Sequence, residues 1–250
     1  MLVVIRPSAA DILTIWEHCL PLPPLGRAVS MLEMTNPDMS KETVAAMPIG
    51  LRDMNLLRLR ELTFGGRLTG IATCPKCDGK VELSIEANEL LASASPDQSG
   101  GSGEVEIVRN GYQVRFRLPT SADLASLADA PPSDQLDRTL LGRCLTWAAK
   151  DNSPVAVSDL PDEVVDAIAE SMDQHDPMAS IDCACVCSVC GHNWLAPLDL
   201  PAFVWTELDD YAKRLLNDVH VLASGYGWPE ADILALTPTR RQVYLELVAG

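Results

Sequence analysis

The sequence predicts an α+β fold, mainly α, in which a split four-cysteine ribbon carries a hairpin-plus-helices insertion and is followed by a C-terminal helical segment. Three observations predict it. Two Cys-X2-Cys knuckles, Cys74-Pro75-Lys76-Cys77 and Cys187-Ser188-Val189-Cys190, stand about 110 residues apart, and strand-like segments lead into and out of each. Between them, Asn110-Gly111 separates two alternating apolar runs, as a two-residue type I′ turn demands. Elsewhere apolar residues recur at helical spacing.

The 250 residues, 47% hydrophobic and 22% charged, suffice for a sizeable core, and an aromatic share of 5% leaves the packing to Leu, Val, Ile and Ala. Asp plus Glu number 35 against 19 Lys plus Arg, for a net charge of −16. That balance argues against nucleic-acid phosphates and anionic lipid as partners, because both need a basic surface. No apolar run approaches the length of a membrane span. Met1 to Arg6 lacks a basic leader and a cleavage site, so it reads as a strand and not as a signal peptide, and the product is expected to stay in the cytosol or to leave the cell only as part of something larger.

Five regions follow in order: 1–70 helical, 71–91 the first half of the ribbon, 92–180 the insertion, 181–199 the second half, and 200–250 the C-terminal helices. Ser8 and Asp11 make an N-cap for a helix through Ile12, Ile15 and Trp16. Leu20 to Gly26 holds three prolines and reads as irregular. A second helix runs from Pro48 to the stop at Gly65-Gly66. Lys80 to Glu86 alternates as a strand, and Ala92 to Gly103, rich in Ser, Gly and Asp, reads as a linker whose shortening should cost little. The hairpin spans Glu104 to Leu118. Helices are expected over 121–128, 133–149 and 161–173, the last two separated by a polar turn at Asp151-Asn152-Ser153-Pro154. Strands at 181–186 and 193–198 flank the second knuckle. Pro201 opens the longest helix, to about Ala223, and two short helices, 229–236 and 238–248, finish the chain, the second capped by Thr237.

The knuckles carry the chemistry. Two residues between cysteines let both thiolates point at one ion, and the small residue that follows lets backbone amides approach the sulfurs. Two knuckles supply four thiolates, the donor set of a closed structural zinc site. Cys74, Cys77, Cys187 and Cys190 are therefore the expected ligands of one zinc, which folds the protein without opening a coordination position for catalysis. Metal-free thiols or disulfides and a redox-active dithiol are the alternatives. Cys183 and Cys185, on one face of the strand entering Cys187, read as buried small hydrophobes, as do Cys19 and Cys144 in apolar helical contexts. His192 is a weaker candidate ligand, and His175 reads as a solvated helix end. No phosphate-binding loop, dinucleotide fingerprint, zincin helix or nucleophile elbow is present, so no enzyme is expected.

The order of these parts resembles the baseplate hub assembly proteins of contractile phage tails of T-even type, and their relatives in contractile injection systems. The matching stretches are Leu56 to Gly65, the two knuckles with Trp194, Gly227 to Leu236, and Arg240 to Leu245; residues 1–50 match nothing. The resemblance implies a non-enzymatic structural or assembly role, chaperone-like, among other hub or wedge proteins. It implies a place in the host cytoplasm during assembly or in the finished particle. The helices from Pro201 onward are the expected partner surface, with Trp228, Arg240, Arg241 and Tyr244 as anchors, since Trp, Tyr and Arg dominate interface hot spots. The stripe Val204, Leu208, Tyr211 and Leu215 is expected either to face a partner or to pack on helices 133–149 and 161–173. Two rivals are a zinc-ribbon adaptor in transcription or nucleic-acid binding, and a dithiol oxidoreductase using Cys74 and Cys77 with Lys76 lowering a thiol pKa.

Overall fold

A computed structural model describes residues 4–93, 103–128 and 136–249. The N-terminal helices are α1 (Ala9–Cys19), α2 (Pro24–Met34), α3 (Lys41–Ala45) and α4 (Ile49–Phe64). Ser8 and Asp11 close a capping box on α1, as their spacing predicts. The prolines between Leu20 and Gly26 do not all interrupt helix: α2 begins at Pro24, where a missing amide costs nothing in the first turn. Of the strand expected over residues 1–6, the described part, Val4 to Arg6, runs without regular structure, tethered by the Ile5 N–H donating to the Thr35 carbonyl at 3.3 Å; residues 1–3 lie outside the described residues.

Helix α4 is buried on nearly every side, including Arg52, Asp53, Asn55 and Arg60. It delivers the chain to the first ribbon hairpin, β1 (Arg67–Thr73) with β2 (Lys80–Glu86), followed by a short helix α5 (Ala87–Ser93) that takes up the start of the expected linker. The rest of that linker, 94–102, lies outside the described residues.

The insertion contains β3 (Val105–Arg109) and β4 (Tyr112–Phe116), joined at Asn110 and Gly111 with φ of +51° and +79°, as a type I′ turn requires. Then come α6 (Ser121–Ala125), α7 (Leu136–Cys144), β5 (Leu145–Lys150), β6 (Ser153–Pro154) and α8 (Asp162–His175). The expected single helix over 133–149 is therefore wrong in its second half. Helix gives way to strand at Leu145, because β4 offers a free edge and pairs Tyr112 with Lys150 through Phe116 with Leu145. The polar turn lies where it was expected, but it connects two strands: Asp151 and Asn152 both take positive φ, +47° and +68°.

The second ribbon hairpin, β7 (Ile181–Val186) with β8 (Asn193–Leu198), matches its sequence reading. Helix α9 (Leu200–Tyr226) follows, then α10 (Glu230–Leu234) and α11 (Pro238–Ala249), with Thr237 accepting from the Arg240 N–H at 3.3 Å.

Two hydrophobic cores result. The larger gathers Ile12, Ile15, Val29, Leu32, Leu56, Leu57, Val204, Leu208 and Leu215 from α1, α2, α4 and α9, and Ile85, Ile181 and Leu198 at the bases of the ribbon hairpins pack against it. The smaller joins Val114, Phe116, Leu141, Ala148, Val164 and Ile168 within the insertion. The apolar stripe of α9 is thus core, but its partners are the N-terminal helices and not 133–149 or 161–173. The N-terminal helices cover Val204, Leu208 and Leu215, so these are no free partner surface, while Tyr211 at the edge of the stripe is only partly buried.

Candidate metal centre

The two knuckles are built alike. In the first, the Cys74 N–H donates to the Gly79 carbonyl at 2.9 Å and the Asp78 N–H to the Cys74 carbonyl at 3.0 Å. In the second, Cys187 donates to His192 and Gly191 to Cys187, both at 2.9 Å. The fifth residue of each, Asp78 and Gly191, takes positive φ, +56° and +69°. Equal spacing thus produces equal turns, and the two knuckles repeat each other in local structure.

The hairpins bring the turns together. The four Sγ atoms lie within 4.8 Å of one another. Cys74 and Cys190 are 3.7 Å apart and Cys77 and Cys187 are 3.5 Å apart, far beyond the roughly 2 Å of a disulfide. A tetrahedral ion with metal–sulfur bonds of about 2.3 Å needs sulfurs about 3.8 Å apart, so the donor set fits one such ion. Cys74 and Cys187 are buried, while Cys77 and Cys190 are exposed. Gly79 is needed by close approach: a Cβ there would come within 3.2 Å of the Cys77 sulfur and 3.3 Å of the Cys187 sulfur.

The thiols are electrostatically unlike. The N–H groups of Cys190 and then Val189 point at the Cys187 sulfur and, with its sulfur neighbours, hold its pKa down to about 6. The Gly79 N–H acts the same way on Cys77, but there the surrounding sulfurs of Cys190, Cys187 and Cys74 outweigh it and push that thiol up to about 12. Four adjacent sulfurs cannot all ionise without a cation among them. Cys183 and Cys185 are buried on β7 outside this cluster, and the Cys185 thiol donates to the Cys183 carbonyl at 3.3 Å. Cys19 and Cys144 are fully buried, and loss of solvent pushes each thiol up to about 11. His192 lies parallel to the Trp194 ring, 6.2 Å between centroids, and is not in the cluster.

The four C-terminal residues singled out in the sequence fare differently. Trp228 and Tyr244 meet edge to face at 4.9 Å, and Tyr226 stacks on Trp228 at 4.6 Å. Arg240 is exposed, whereas Arg241 is only 4% exposed and its Nε donates to Asp218 at 3.0 Å. Arg241 is therefore held within the chain through its Nε.

Sequence reasoning missed the polar side chains that set the ribbon against the helices. Arg60 donates twice to Glu207 of α9, both at 2.8 Å, and also to the carbonyls of Gly65 and Arg67. One guanidinium thereby ties the end of α4, the start of β1 and the helix that follows the second hairpin. The signal in the sequence was the run Leu56 to Gly65 itself, whose arginines interrupt an apolar segment.

Comparison with curated proteins and with solved structures found no match. The sequence profile of the family described as "T4 bacteriophage base plate protein" matches residues 30–205. The match takes in α4, both knuckles and the whole insertion. It begins before the stretches quoted above for the resemblance and stops short of those after Gly227. Covering well over half of the chain, it shows that this protein belongs to the T4 bacteriophage base plate protein family.

Proposed function

We propose that the protein is a non-enzymatic structural and assembly component of a contractile-tail baseplate, stapled by one zinc ion and acting through contacts with other baseplate proteins. The family match over residues 30–205 carries the reading. The cluster Cys74, Cys77, Cys187 and Cys190 supports its structural half: four thiolates close a tetrahedral site and leave no position for substrate. Zinc suits this donor set best, because soft thiolates in tetrahedral array select it over hard cations. The ion holds the tips of two hairpins that are separate in sequence, so its binding energy becomes folding energy. A chaperone-like role during assembly in the host cytoplasm, with a hub or wedge protein as partner, is the finer form of the same proposal. Trp228, Tyr244 and Arg240 near the chain's end are its candidate contacts.

Two measurements test it. Elemental analysis of the purified chain should give one zinc, and Cys77→Ser should lose it together with several degrees of melting temperature. Co-expression with hub and wedge proteins should give a complex that Arg240→Glu weakens while zinc content stays unchanged. A metal-free, fully stable chain would remove the staple, and a folded chain that binds no tail component would remove the assembly role.

A further inference from the structure

Helices α9 and α11 enclose a groove of about 690 Å³ whose cations are Lys213, Arg214 and Arg241. Its carboxylates, Asp210 and Asp218, are fewer, and Asp218 is taken up by Arg241. Lys213 is bonded to Asp209 at 2.6 Å. Arg214 is exposed, lies 5.7 Å from the Tyr211 ring centroid, and has no ion-pair partner among the described residues. Arg241 is the unusual member. Its side chain is 5% exposed and its Nε is bonded to Asp218, yet its Nη1 is buried with no acceptor. Two other buried side-chain atoms among the described residues lack partners, Ser30 Oγ and Asn55 Oδ1, and both are neutral. A buried guanidinium N–H without an acceptor is costly to keep, and a planar fork is well shaped for a carboxylate.

We propose that the α9–α11 groove receives an acidic segment of a partner protein, its carboxylate seated between Arg214 and Arg241. Charge complementarity selects the occupant. A chain of net charge −16 repels anions at long range, so local cations in this groove favour a short carboxylate-bearing segment over a polyanion such as nucleic acid. Tyr211 and Pro238 give the groove apolar wall for the stem of a glutamate. The proposal rests on the assembly reading for the existence of a partner, but not for the chemistry of the groove.

The probe is a fluorescein-labelled hexaglutamate peptide, titrated by anisotropy into the full chain at low salt, with hexaglutamine as control. Hexaglutamate should bind saturably and hexaglutamine should not, and added salt should weaken binding. Arg214→Ala should weaken binding about tenfold with the melting temperature unchanged, because that side chain is exposed. Arg241→Lys keeps a cation beside Asp218 and loses the fork, so it should weaken binding by a similar factor. Absence of saturable binding, or binding indifferent to Arg214→Ala, would overturn the proposal. So would displacement by inorganic phosphate at concentrations matching those of the peptide, which would mark a small-anion site. A chain that joins baseplate complexes but ignores hexaglutamate would sink the groove and leave the assembly role standing. Hexaglutamate binding without any baseplate complex would do the reverse.

Discussion

At the start of α4, the Gly50 N–H donates to Asp176 Oδ2 at 2.9 Å, so a carboxylate from the far end of the insertion caps this helix. The contact needs glycine: a Cβ on residue 50 would fall 1.9 Å from Asp176 Oδ1. Gly50→Ala should therefore cost about 3 kcal/mol, read by urea unfolding. Burial pushes the Asp176 carboxyl up to about 6; the Gly50 N–H opposes this, Asp53 adds to it and Arg52 offsets part. Because the folded pKa is raised, the native state holds a proton that the unfolded chain has released, and stability falls as pH rises from about 4 to about 6. Asp176→Asn should lessen that slope, Asp53 keeping its own share because burial raises its carboxyl too: relative to wild type, the variant should gain up to about 2 kcal/mol between pH 4 and 6. Asp123, held down to about 2 chiefly by Arg117, acts with the opposite sign and in a lower window, so it leaves this test clear. None of this was legible in the sequence, since Gly50 and Asp176 are 126 positions apart. The cysteine cluster was legible because its members come in adjacent pairs whose spacing is itself the signal.

Among the elements, the helices with caps and the hairpins with glycine turns could be read directly, and the failures have two causes, tertiary pairing and a proline at a first turn. Residues 145–150 carry apolar side chains that a helix would accept equally well, and only pairing with β4 makes them strand. The Asp151-Asn152 pair, both at positive φ, was the local hint that this was a second hairpin. α2 was missed because proline was read as a breaker when it stood at a first turn. The polar residues of α4 follow the same logic. Arg60 is 3% exposed and meets Glu207 across 147 positions, a tertiary fact that periodicity cannot carry. Arg60→Leu should cost about 3 kcal/mol, since it strands Glu207 and frees the two carbonyls at the head of the ribbon. Adding Glu207→Leu should recover part of that loss, and thermal melts of both single variants and the double would measure the coupling. If the double variant were as unstable as the sum of the singles, Arg60 would be packing and not pairing.

On the scale of the whole molecule, an ion held by the four cysteines would close a ring of more than 100 residues, with Cys77 and Cys187 separated by 110, and that stretch of chain contains the second core. The ribbon bases, by contrast, are anchored in the first core through Ile85, Ile181 and Leu198. Loss of the ion should therefore free the hairpin tips before either core melts, since each core buries its own apolar surface. The eight cysteines report this separately. Four lie at the tips, and Cys19, Cys144, Cys183 and Cys185 are buried elsewhere, with Cys19 and Cys144 held protonated by loss of solvent. Thiol titration of the native chain should be slow until a chelator is added, when four groups should react quickly while the far-ultraviolet helical signal persists. The other four should respond only to denaturant. If all eight reacted in one phase on chelation, the ion would hold the whole fold and not the ribbon alone. Should chelation leave the reaction unchanged, the cysteines hold no metal, and the hairpins are joined by packing at their bases.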